Sequence, residues 1–187
     1  MSMNDKLDIV REYNRNGCFI EAKKLLLDML VDEGNINYKY IMLEMGQTLL
    51  GMSKFTEAKE YFQNVLNLES VNVYAFKGIL KCLLNMNKYT DLLTALMNNK
   101  LINKREKTKI LEEVINNFFD NKALANQNIN KEEKIIKENI TFFKRAKRAE
   151  IAKKIITYYK ENREANKEEE ILKWSIRNNV RDKEIER

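Results

Sequence analysis

The sequence predicts an all-α protein, and three observations carry that prediction. The 187 residues contain no proline, the residue that most strongly interrupts a helix. Apolar residues recur at intervals of three and four over long stretches, which places them on one face of a helix. A short motif returns at intervals of 36 and 34 residues, and a period of this length indicates stacked helical units.

The recurring motif has one order of residue types in all three copies. A turn residue is followed by any residue, an aromatic, a β-branched residue, an acid, and a small or aliphatic residue. The copies begin at Gly17, Ser53 and Asn87. Each copy lies between two stretches with helical apolar spacing, so each is predicted to be the turn of a helical hairpin.

The helices can be assigned in order along the chain. The hairpins are predicted to begin near Met3, at Lys39 and at Val73. In the second hairpin the apolar positions of the two helices are Leu43, Gly46, Leu49, Leu50 and then Ala58, Phe62, Val65, Leu66. Polar links at 35–37 and 70–72 supply capping residues, and links this short favour antiparallel neighbours.

These spacings resemble tetratricopeptide repeats (TPR), a family of 34-residue helix–turn–helix units. The best unit, 39–72, carries the small and aromatic residues of that pattern: Gly46, Phe55, Ala58, Phe62 and Leu66. The third unit departs from it, with Leu80 and Leu92 at the two small positions. The resemblance covers residues 3–103 and implies antiparallel helix hairpins stacked as a right-handed superhelix.

The second half of the chain is predicted to contain further helices. Residues 105–119 have an apolar stripe and are predicted to cap the repeats, giving a TPR-like domain at 3–119. An asparagine-rich loop at 120–130 then leads to a basic helical extension at 131–187. Within it, 131–162 is either one helix or a degenerate repeat starting near Glu133 with a turn at Lys144–Arg148. A last helix is predicted at Glu168–Ile176.

The net charge of +6 lies in the second half of the chain. Residues 1–100 have 12 basic and 12 acidic side chains, whereas 101–187 have 22 and 16. The segment 144–160, with a single acid, Glu150, alone accounts for a charge of +6. Its basic residues are Lys144, Arg145, Lys147, Arg148, Lys153, Lys154 and Lys160.

The TPR resemblance implies a binding face formed by the first helix of each unit. The residues at those positions are Leu7, Arg11, Asn14, Tyr40, Leu43, Gln47, Leu50, Tyr74, Lys77, Lys81 and Leu84. This mixture of aromatic, aliphatic and basic side chains suits a peptide or helix with acidic character, unless the C-terminal helices cover the face. A subset of the family grips a C-terminal carboxylate there, and Glu44 argues against that mode.

An enzyme is not predicted. The chain has no histidine, the commonest general base, and none of the common nucleotide-binding or nucleophile motifs. Its two cysteines, Cys18 and Cys82, form no metal or redox motif and are expected to be reduced thiols. No cofactor and no metal are predicted. We expect a soluble, cytoplasmic protein, since neither a signal peptide nor a membrane-spanning run of about 20 apolar residues is visible.

The sequence therefore predicts a non-enzymatic scaffold or adaptor that binds a protein partner in the groove of its repeats. Two alternatives remain open at this point. One is a regulator that contacts nucleic acid through the basic segment 144–160. The other is an assembly subunit that associates with copies of itself through the exposed end of the helix stack.

Overall fold

The computed structural model describes residues 2–31, 38–120 and 133–177, and within these ranges it contains helices and no strand. The all-α prediction is therefore confirmed. The α-helices are α1 (Met3–Arg15), α2 (Phe19–Val31), α3 (Tyr38–Gly51), α4 (Phe55–Leu68), α5 (Val73–Asn85), α6 (Tyr89–Asn98), α7 (Lys104–Asp120), α8 (residues 133–138), α9 (Arg145–Glu161) and α10 (Ala165–Arg177). The predicted link at 35–37 and residues 121–130 of the predicted loop lie outside the described residues, whereas Asp120 ends α7.

The chain forms two compact units, Met1–Ala95 and Leu96–Arg187. In the first unit each helix from α1 to α5 packs on the next, and α3 also contacts both α1 and α5. This is the stacking of antiparallel hairpins that the repeats predicted. The proposed domain limits, 3–119 and 131–187, stay a prediction.

The three predicted hairpin turns share one backbone conformation. Gly17, Ser53 and Asn87 have φ of 75°, 60° and 57°, in the left-handed region. In each turn two main-chain N–H groups bond back to the helix that has just ended, as in Gly17 N to Asn14 O at 3.3 Å and Cys18 N to Tyr13 O at 2.9 Å. These bonds satisfy carbonyls that the helix end would otherwise leave unpaired.

A fourth turn of the same kind joins α9 and α10, in the interval that the sequence left between 162 and Glu168. Arg163 has φ of 59°, and the N–H groups of Arg163 and Glu164 bond back to Lys160 and Tyr159. The turn predicted at Lys144–Arg148 is wrong, because α9 already begins at Arg145. The break lies earlier, at 139–144, and includes a 3₁₀ turn at Ile140–Phe142. Residues 131–162 are therefore not one continuous helix.

Aromatic side chains hold the helices of each unit together. In the first unit the ring of Phe62 is fully buried between α3, α4 and α5. In the second, the rings of Phe118, Phe119, Tyr158 and Tyr159 follow one another edge to face. The Tyr159 hydroxyl donates a hydrogen bond to Glu133, which fixes α8 against α9. Burial raises the pKa of Tyr159, so its hydroxyl stays protonated and remains a donor.

Candidate protein-interaction groove

The predicted binding residues of the first unit lie on three helices that contact one another. These helices are α1, α3 and α5, the first helices of the three hairpins, and α3 contacts the other two. Short sequence signals place the starts of two of these helices. Ser2 and Asp5 form a capping box at the start of α1, and Asn72 accepts a hydrogen bond from Ala75 N at the start of α5. The three helices therefore present one continuous surface.

Arg11 forms ion pairs with two carboxylates on this surface, Glu44 and Asp8. Its Nε lies 2.6 Å from Glu44 Oε1, and its Nη1 lies 2.9 Å from Asp8 Oδ1. The hydrogen bond to Glu44 raises the pKa of Arg11 further above its already high value. A ligand carboxylate would have to compete with two carboxylates already bound to this guanidinium. The contact agrees with the sequence argument against a carboxylate-gripping site.

Asn14 links α1 to α3. The Thr48 hydroxyl lies 2.9 Å from both Asn14 Oδ1 and the carbonyl of Glu44, although it has only one proton to donate. Within the described residues Asn14 Nδ2 has no partner. Exchanging the oxygen and nitrogen of the Asn14 amide resolves the conflict, because Nδ2 then donates to Thr48 and the hydroxyl donates to Glu44. Asn14 is therefore a helix–helix contact.

A groove of about 550 Å³ opens on this surface. Among the predicted residues it brings together Arg11, Tyr40, Leu43 and Tyr74. The two tyrosines come from the first turns of α3 and α5. Their side chains are exposed, whereas Leu43 is half-buried. The apolar part of the lining therefore combines aromatic and aliphatic side chains.

The other predicted binding residues lie outside this groove. Leu7 is a core residue and is therefore not available to a ligand. The half-buried members are Gln47, Leu50, Lys77 and Leu84, and Lys81 is exposed. A binding role for them stays a prediction.

The groove also contains residues that the sequence did not single out. Lys39 Nζ lies 3.1 Å from Glu69 Oε2, and Asn72 Nδ2 donates to the same oxygen at 3.0 Å. The hydrogen bonds from Asn72 and Lys39 lower the pKa of Glu69. Val71, in the link between α4 and α5, is exposed beside them. Lys39 lies at the start and Glu69 at the end of the hairpin formed by α3 and α4. The antiparallel pairing of those two helices, which the sequence predicted, is the signal that would have paired them.

The basic segment 144–160 is spread around α9. At 3.6 residues per turn, Lys147 and Lys154 share one side of the helix, whereas Lys153 and Lys160 lie roughly 120° away. Several of its cations have partners: Lys147 with Glu150 at 2.7 Å, Lys154 with Asn116 at 2.8 Å, and Arg148 with the carbonyl of Phe143 at 2.8 Å. Nucleic-acid binding by this segment stays a prediction, as does self-association.

The described residues include two cysteines, neither of which belongs to a group that could hold a metal. Cys18 is half-buried and Cys82 is buried, and both are free thiols. Burial raises the pKa of the Cys82 thiol to about 11. Across 2–31, 38–120 and 133–177 the acids and cysteines form no group of three that could hold a metal. No helix in those ranges is both long enough and apolar enough to cross a membrane.

Comparison with known proteins points to one kind of fold. No protein-family model matches the sequence, and no curated protein matches it. Among solved structures, it is similar to the nearly identical TPR-like repeats of a Podosopora anserina protein described as a kinesin light chain, with a TM-score of 0.50 and 12% identity over 92% of each chain. A variant of those repeats with one substitution has a TM-score of 0.49 and 11% sequence identity, over 96% of this chain and 97% of that one.

The stacked hairpins and this likeness define the class: the chain is an all-α helical-repeat protein. Its repeats are TPR-like, as the resemblance over 3–103 predicted. At 12% identity the likeness establishes the fold alone.

Proposed function

We propose that this chain is a non-enzymatic protein-interaction scaffold that binds a peptide or helix of its partner along α1, α3 and α5. The observation that carries the proposal is the groove of about 550 Å³, which is lined by the exposed side chains of Tyr40 and Tyr74. Tyrosine is enriched among the residues that dominate the binding energy of protein interfaces. Stacked repeats build extended surfaces of this kind.

The sequence predicted that the partner is acidic. Because Arg11 is already bound by two carboxylates, Lys77 and Lys81 are the remaining basic residues of the predicted face that could contact an acidic partner. Arg11 is held by Glu44 and Asp8, whereas Lys81 is exposed on α5. Tyr74 and Lys81 are seven residues apart, which corresponds to about 10 Å along a helix. An acidic contact is therefore proposed only for the end of the face that is remote from the groove.

Quantitative affinity capture from the native host lysate tests the scaffold proposal. The bait carrying Leu43→Ala, Gln47→Ala and Lys81→Ala should lose partners that the unaltered chain retains. A matched control carries three changes at exposed positions of α4: Glu60→Ala, Gln63→Ala and Asn67→Ala. Equal capture by the unaltered bait and by this triple variant of the binding face would overturn the proposal.

A further inference from the structure

Exposed large apolar side chains concentrate at one edge of the first unit. Helices α3 and α4 are antiparallel, so the start of α3, the end of α4 and the start of α5 meet at the same edge. The exposed apolar residues of these three segments are Tyr38, Tyr40, Leu68, Val71 and Tyr74. Such residues occur singly on most surfaces, whereas a cluster marks an interaction site.

The groove opens at this edge, and three members of the cluster line it. Tyr40 is 43% exposed, Val71 63% and Tyr74 72%. Each could bury substantial apolar area against a ligand, at about 25 cal/mol per Å². Tyrosine has few side-chain torsions to immobilise, so little entropy offsets that gain.

The charges that line the groove are already balanced by one another. Lys39 is paired with Glu69 and Arg11 with Glu44, so the four charged side chains of the lining have no net charge. Arg11 is also bound by Asp8, which lies outside the lining. A carboxylate on the ligand would meet Glu44 and Glu69, and an ammonium group would meet Lys39 and Arg11. Either one would break an existing pair, whereas an uncharged segment would leave both pairs intact.

From this charge balance we propose that the groove between Tyr40 and Tyr74 binds an uncharged apolar segment of a partner protein, anchored by an aromatic or large aliphatic side chain. The inference rests on the proposed scaffold function and names the chemistry of the ligand. It differs from the acidic partner that the sequence predicted, because it assigns the binding energy to apolar burial.

A displayed library of random 12-residue peptides, selected on the full chain, tests this assignment. The enriched peptides should share an aromatic or large aliphatic residue and have a net charge near zero. Their dissociation constants should change less than about twofold between 50 and 300 mM NaCl, because apolar contacts are not screened by salt. Tyr74→Ser should weaken binding at least about tenfold, a loss typical of a binding hot spot.

Gln63→Ser, at an exposed position of α4 outside the groove, is the matched control and should leave peptide binding unchanged. Lys81→Gln tests whether an acidic contact at that residue contributes instead. Circular dichroism confirms that each variant folds, which we expect because all the altered side chains are exposed. Enrichment of acidic peptides, or strong loss of binding with Lys81→Gln and none with Tyr74→Ser, would overturn the inference and leave the scaffold proposal standing. If no peptide is enriched over selection on the Tyr40→Ser/Tyr74→Ser variant, the inference is overturned as well. The scaffold proposal fails separately, when the lysate capture above shows no difference.

Discussion

The ring of Phe62 lies so close to Gly78 that a Cβ atom at position 78 would clash with it. A Cβ atom built on Gly78 would lie 2.6 Å from Phe62 Cε2, and one built on Gly46 would lie 2.7 Å from Cε1. The two glycines belong to the first helices of successive repeats and contact the same ring. Since the ring is confined on both sides, it cannot move away from one helix without meeting the other.

We therefore expect Gly78→Ala to destabilise the first unit. Overpacking of this kind costs about 1–3 kcal/mol, offset by up to about 1 kcal/mol from the better helix propensity of alanine. Urea unfolding should show a net loss of about 1–2 kcal/mol. Lys81→Ala, at an exposed position of α5, should stay within about 0.5 kcal/mol of the unaltered chain. Adding Phe62→Leu to Gly78→Ala should cost less than Phe62→Leu does alone; simple additivity would refute the contact.

Arg163 is an unfavourable residue for its backbone conformation. Its φ of 59° costs an ordinary L-residue roughly 1–2 kcal/mol, whereas glycine adopts it freely. We expect Arg163→Gly to raise the stability of the second unit by about 0.5–1 kcal/mol, after the larger unfolded-state entropy of glycine is subtracted. Gly17→Ala should have the opposite effect on the first unit, because Gly17 has φ of 75°. Thermal unfolding of both variants measures the two changes, and a destabilising Arg163→Gly would contradict this reasoning.

The two cysteines should differ in reactivity in the native protein. Cys82 is buried, and burial raises its pKa to about 11, so little thiolate is present or accessible at pH 8. Cys18 is half-buried. Iodoacetamide should therefore alkylate Cys18 at least about tenfold faster than Cys82, as measured by peptide mass spectrometry. In 8 M urea the difference should disappear, and equal rates without urea would be evidence against a buried Cys82.

Stability should be nearly independent of pH between 6 and 8, because no histidine is present to titrate there. The Lys39–Glu69 ion pair makes stability depend on pH below and above that range. Glu69 has a lowered pKa, so its contribution is present above its usual value of 4.5 and is lost as the pH falls through the folded value. Lys39 has a raised pKa, so its contribution is lost as the pH rises beyond 10.5.

Glu69→Gln tests this dependence. The melting temperature of the variant should lie below that of the unaltered chain near pH 7 and converge with it in acid, once Glu69 is protonated in both states. The difference should also shrink in 1 M NaCl, because the pair is partly exposed to solvent. A difference that persists unchanged at pH 3 would assign the effect to packing.

The second repeat could be recognised in the sequence because close packing of its helices requires particular residue types at fixed spacing. Gly46 and Phe62 are at TPR spacing, and they are in contact because only glycine leaves room for the ring. The turn at Arg163 left no such signature. It is closed by main-chain hydrogen bonds, which any residue can make, and arginine is not a residue that marks a left-handed turn.

The groove was predicted only in part, for a related reason. Tyr40 and Tyr74 follow from the repeat register, but the pairing of their neighbours depends on how successive hairpins stack. Asn14 and Thr48 are 34 residues apart, and Arg11 and Glu44 are 33 apart. Residues separated by one repeat length become neighbours once the units are stacked. A single exposed valine in a link, such as Val71, gives no comparable signal.

The shared turn has a consequence for how such repeats diverge. Four hairpins use one main-chain hydrogen-bond pattern, although the residue at the left-handed position is Gly17, Ser53, Asn87 or Arg163. The backbone thus preserves the shape of a unit after its consensus side chains have been replaced. Distant relatives of this chain are therefore better sought by the recurrence of this backbone geometry than by residue identity.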